Sequence, residues 1–111
     1  MSRALTVSEP SFYLPRTEGR IPMEVGVQIC GHPHLPGVEN TFTENVSRRG
    51  ARILSVRRWR TNDQLWISTL SGRFRALARV AYCESLHGEG FAVGLEFVDP
   101  RGPWVVTPAT E

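Results

Sequence analysis

Arg73-Phe-Arg-Ala-Leu-Ala-Arg-Val-Ala-Tyr82 is the stretch that decides the fold. Phe74, Ala76, Ala78, Val80 and Tyr82 alternate with Arg73, Arg75, Leu77 and Arg79. A period of two places alternate side chains on opposite faces of an extended chain, whereas a helix would repeat every 3.6 residues. The stretch therefore reads as a long strand with one core-facing side, Tyr82 included, and one wet, basic side.

Its neighbours repeat the pattern. Ser71-Gly72 ahead of it is a two-residue hairpin signal. Before that, Gln64 to Leu70 puts Leu65, Ile67 and Thr69 on one face, after a turn at Asn62-Asp63. Downstream, His87-Gly88 turns the chain, Phe91, Val93, Leu95 and Phe97 supply a last inward face, and Asp99-Pro100 ends it. Upstream, Ala51 to Val56 sets Ile53 between Arg52 and Leu54, and Asn40 to Glu44 leads into a turn at Asn45. Ile21 to Ile29 reads as one half-buried strand carrying Val25, Val27 and Ile29. Residues 31 to 38, Gly-His-Pro-His-Leu-Pro-Gly-Val, read as a loop by their glycine and proline content.

No segment has helical periodicity, and Pro103 and Pro108 argue against a helix interior in the tail. Six short strands with frequent turns predict an all-β fold, a six-stranded antiparallel barrel or a sandwich. Closure is favoured because it leaves no exposed sheet edge. At 111 residues and 41% hydrophobic there is room for one core. The expected organisation is an arm over residues 1–15, a barrel over 16–99 and an irregular tail over 100–111.

No apolar run approaches the roughly 20 residues that span a bilayer. Residues 1–15 contain Glu9, Pro10 and Pro15 and lack the basic-then-apolar order of a secretory signal. Cys30 and Cys83 form no spacing pattern that would indicate an oxidising compartment, so a cytoplasmic protein is expected. Net charge is only +2, yet all thirteen basic residues are arginine. Arg48, Arg49, Arg52, Arg57, Arg58 and Arg60 fall close together, which favours an anionic partner or a solvated basic face.

Two further pieces carry chemistry. Arg16-Thr-Glu-Gly-Arg20 sets two guanidinium groups four residues apart ahead of the first strand. Asn45-Val-Ser47-Arg-Arg-Gly50 is an amide and a hydroxyl closed by a glycine. Guanidinium forks suit phosphate oxygens and the O6/N7 edge of guanine, and they stack on bases. An amide and a hydroxyl can take another polar edge of a base. Taken separately, each piece also has a purely structural reading, as surface arginines and as a capped turn.

In that order, and followed by hairpins ending in Val93-Gly-Leu-Glu-Phe97, these residues resemble the PilZ domain over about residues 14 to 98. The resemblance implies a six-stranded barrel acting as a bacterial receptor for cyclic di-GMP, without enzymatic activity or a cofactor. It implies that Arg16 and Arg20 grip phosphates and guanine edges, that Asn45 and Ser47 bond a guanine, and that Gly50 allows close backbone approach. Arg49 is a possible secondary contact. The family more often has Asp at the position of Asn45, and an amide gives up the charge assistance of a carboxylate. On this reading the arm, with Phe12 and Tyr13, closes over the nucleotide, and the altered surface signals to an effector protein.

Other constellations are weaker. Cys30-x-His32-x-His34, with Cys83 and His87, has zinc-ligand types, but the spacing fits no common structural zinc pattern, so no metal is expected. No nucleophile motif or phosphate loop of the mononucleotide type is present. A barrel with basic strands and the aromatics Trp59, Trp66, Phe74 and Tyr82 could instead bind single-stranded nucleic acid, which requires aromatics exposed on the basic face. A third reading keeps the family fold as a ligand-independent adaptor.

Overall fold

The computed structural model describes residues 19–32 and 35–106. Seven strands and no helix occur among them: β1 Ile21–Pro22, β2 Gly26–His32, β3 Leu35–Ser47, β4 Gly50–Ser55, β5 Gln64–Thr69, β6 Arg75–Ser85 and β7 Phe91–Arg101. Their spatial order is β1-β3-β2-β5-β6-β7-β4, and β3 pairs again with β4. That last pairing closes β2 to β7 into the expected six-stranded antiparallel barrel, with β1 outside it.

The alternation read in the sequence fills the interior. Phe74, Ala76, Ala78 and Val80 are buried, as are Leu65 and Ile67 on β5 and Val93 and Leu95 on β7. Val27, Ile29, Val46, Ala51 and Ile53 complete the ring from β2, β3 and β4. A six-stranded barrel is narrow inside, and the alanines at 51, 76 and 78 leave room for Phe74 and the branched residues.

Several local expectations are overturned. The alternation of β6 breaks at Ala81: Val80 pairs with Leu95 but Tyr82 pairs with Gly94, so Ala81 is an extra residue in the ladder. This bulge reverses the phase, and Tyr82 points to the outer wall rather than to the core. The loop expected over residues 31 to 38 is strand at its described positions, since β2 continues to His32 and β3 begins at Leu35. Gly31 and Gly37 adopt φ of 94° and 102°, which only glycine takes without strain. Pro36 is tolerated because β3 is laddered to β2 alone at this end; its pairing with β4 starts at Thr43.

The turn expected at Asn45 lies further on. Asn45 is within β3, and Ser47 pairs with Gly50 across Arg48-Arg49. The Ser71-Gly72 connection is wider than two residues, with Thr69 N–H bonded to the Phe74 carbonyl at 3.0 Å. The first strand is interrupted between Pro22 and Gly26, and Thr43 fills the gap. Its buried hydroxyl donates to the Met23 carbonyl at 2.6 Å and accepts from Val25 N–H at 2.9 Å. β7 continues past Asp99-Pro100 to Arg101. Beyond it the backbone is irregular, yet Trp104 is only 9% exposed. Its ring centroid lies 4.7 Å from that of Phe74 and 4.9 Å from that of Phe97, and Nε1–H donates to the Ser47 carbonyl at 2.8 Å.

Candidate functional site

Two cross-strand rows lie side by side on the outer wall. One runs Ser47, Gly50, Glu96, Arg79 across β3, β4, β7 and β6. The other runs Asn45, Arg52, Gly94, Tyr82 across the same four strands. Neither Gly50 nor Gly94 contributes a side chain, and an open cleft of about 380 Å³ lies over them, lined also by Arg20 and Arg49.

The glycines are needed for the wall itself. A Cβ on Gly50 would fall 2.1 Å from the Leu95 carbonyl oxygen, a backbone atom that cannot swing aside. The close approach served by Gly50 is therefore strand on strand, between β4 and β7, in addition to opening the cleft. A Cβ on Gly94 would fall 2.1 Å from Cε2 of Tyr82, so the phenol ring lies flat across this position. Its hydroxyl accepts from Arg52 Nη1 at 3.1 Å.

Charge in the cleft is one-sided. Among the described residues Arg20, Arg49 and Arg79 line it, with Glu96 as the one carboxylate. Arg79 donates to Asn62 Oδ1 at 2.8 Å and pairs with Glu96, which holds it upright on the wall. Arg52 next door is neutralised by Glu44 at 2.8 Å and Glu84 at 2.7 Å. The Glu44 bond, then the Tyr82 bond, push its pKa above the already high arginine value, so this network keeps its cation at any pH below that range.

The predicted site residues fall as follows. Arg20 Nη1 donates to Asn45 Oδ1 at 3.0 Å, which joins the segment before β1 to β3 across 25 positions. Ser47, Arg49 and Gly50 line the same cleft as Arg20. Arg16 and the arm, with Phe12 and Tyr13, lie outside the described residues, as does His34 of the weighed metal set. The arginine run of the sequence is not one patch. Arg49 and Arg57 lie beyond opposite ends of β4, and Arg58 covers the ring of Phe91 at 5.2 Å.

Arg79, Tyr82, Gly94 and Glu96 were not among the expected site residues. The glycine in Val93-Gly-Leu-Glu-Phe97 was the available signal, since glycine inside a strand marks close approach. The four candidate aromatics divide evenly: Trp59 and Phe74 are in the core, while Tyr82 and Trp66 are outside, Trp66 beneath Arg75 at 4.5 Å. A second groove of about 580 Å³ opens between β3, β4 and the β6–β7 turn, lined by Phe42, Leu54, Val56 and Phe91. It is larger, but its charged lining is Glu39 and Glu89 without an arginine, so it does not suit an anion. No protein-family model matches the chain, and no curated protein matches it.

Proposed function

We propose that this chain is a receptor for cyclic di-GMP of the PilZ kind, binding the nucleotide over the glycine-floored cleft without chemically altering it. The observation that carries the reading is the contact between Arg20 and Asn45, beside Ser47, Arg49 and Gly50 in one basic cleft. Two elements distant in sequence, one cationic and one polar, thus face a shared space, as a bridging dinucleotide requires. Arg20, Arg49 and Arg79 together give the cleft a basic lining, which suits the phosphates of the ligand.

In this mechanism guanidinium forks from Arg20 and Arg49 take phosphate oxygens. The amide of Asn45 and the hydroxyl of Ser47 take polar base edges. Charge neutralisation by the ligand lets the arginines converge and alters the surface offered to an effector protein. A ligand shifts such an equilibrium only through differential affinity for the two arrangements. Titration with cyclic di-GMP followed by amide NMR tests this. Shifts centred on Arg20, Asn45 to Gly50 and Gly94 to Glu96 are expected; shifts absent at saturating nucleotide, or centred on the Phe42–Phe91 groove, overturn it.

A second reading has its own observation. Tyr82 and Trp66 lie on the outer wall next to Arg52 and Arg75, an arrangement that single-stranded nucleic acid could use for stacking. Mixed-sequence oligonucleotides that displace the dinucleotide at equal concentration would favour it.

A further inference from the structure

Glu96 is an unexpected residue in an anion-binding cleft, and its placement gives it a use. It stands in the row between Gly50 and Arg79, so its flank toward β4 is bare of side chains. Oε1 accepts from Arg79 Nη2, and the side chain remains 51% exposed. A carboxylate has about four acceptor sites, and one arginine bond leaves capacity for a pair of donors side by side. Two adjacent donors are what the N1–H and 2-amino group of guanine present. Adenine presents an acceptor at N1 beside a single amino donor, and a carboxylate repels that lone pair.

We propose that Glu96, oriented by Arg79, reads the N1–H and 2-amino edge of a guanine bound in this cleft and so sets selectivity for guanine over adenine. This rests on the cleft being a guanine-nucleotide site. Arg79 acts as a positioning residue: its bonds to Asn62 and Glu96 fix the carboxylate over the bare strand. The carboxylate also offsets one arginine, so a purely phosphate-gripping cleft would be better without it. A carboxylate at this place in a basic lining is what reading a base requires.

The test is a cycle between protein and ligand. Wild type and Glu96→Gln are titrated by calorimetry with cyclic di-GMP, cyclic di-AMP and cyclic di-IMP, whose inosine bases lack the 2-amino group. Wild type is expected to prefer cyclic di-GMP over both others by about tenfold or more, the scale of a bidentate base contact. In Glu96→Gln the preference over cyclic di-IMP should collapse, and cyclic di-AMP should gain, since an amide offers both a donor and an acceptor. An unchanged preference in the variant overturns the role of Glu96 while the cleft stays a nucleotide site. If wild type binds none of the three, the site itself is refuted. Should the variant fail to fold, wild type alone decides: equal affinity for cyclic di-GMP and cyclic di-IMP overturns the inference.

Discussion

Truncating Trp104 should reveal how much of the barrel depends on a residue beyond its last strand. The indole is buried against Phe74 and Phe97 and bonds the Ser47 carbonyl. Trp104→Ala removes two aromatic contacts and opens a cavity, a change that costs about 3–5 kcal/mol in other cores. Against a typical domain stability of about 5–15 kcal/mol, that is a third or more of the total. Trp104→Phe keeps a ring in place but strips a hydrogen-bond donor from a buried carbonyl, costing about 1–3 kcal/mol. Urea unfolding followed by far-ultraviolet circular dichroism measures both, free of the signal change that losing an indole brings to fluorescence. The expected order is wild type, Trp104→Phe, Trp104→Ala. A loss below about 1 kcal/mol for the alanine variant would refute the reasoning, because a buried Trp cannot be that cheap to remove. Equal losses for both variants would mean that the hydrogen bond, and not the packing, anchors the tail.

Arg20→Ala should weaken cyclic di-GMP binding by about tenfold or more while leaving the unfolding midpoint in place, because a charge-assisted ligand contact outweighs one exposed hydrogen bond; calorimetry and thermal unfolding separate the two. Gly50→Ala should destabilise the fold by about 1–3 kcal/mol or more, since its Cβ must displace the β7 backbone, and an unchanged thermal midpoint would contradict the strand-on-strand role. Asn45→Asp should hold or improve nucleotide affinity by restoring charge assistance; a large loss in calorimetry would mean that the Asn45 amide serves the fold alone.

The barrel was legible because period-two alternation survives in β4, β5, most of β6 and β7, where the inward positions are mostly apolar, with Ser55 a buried polar exception. What escaped has physical reasons. A bulge such as Ala81 adds one residue to a ladder without a composition signal, and it alone moved Tyr82 from core to cleft. Glycine and proline content at 31 to 38 favours a loop, but a strand unladdered on one edge accepts Pro36, and Gly31 and Gly37 take positive φ within their strands. Of the residues expected from chemistry and order, Arg20, Ser47, Arg49 and Gly50 line one cleft and Asn45 bonds Arg20. Arg79, Tyr82 and Glu96 were missed because their adjacency depends on which strands close the ring. Trp104 gave no periodic signal at all, since a single side chain plugging a barrel end has no repeat to detect.

The interruption before Gly26 has a mechanical result. β1 is held to β3 by two rungs, Ile21 to Val46 and Pro22 to Asn45, while β2 keeps its own longer ladder on the far side of the gap. A pull on Arg20 therefore loads those two rungs first, then the Met23–Glu44 bond and the bonds of Thr43 to Met23 and Val25, before it reaches the ladder of β2.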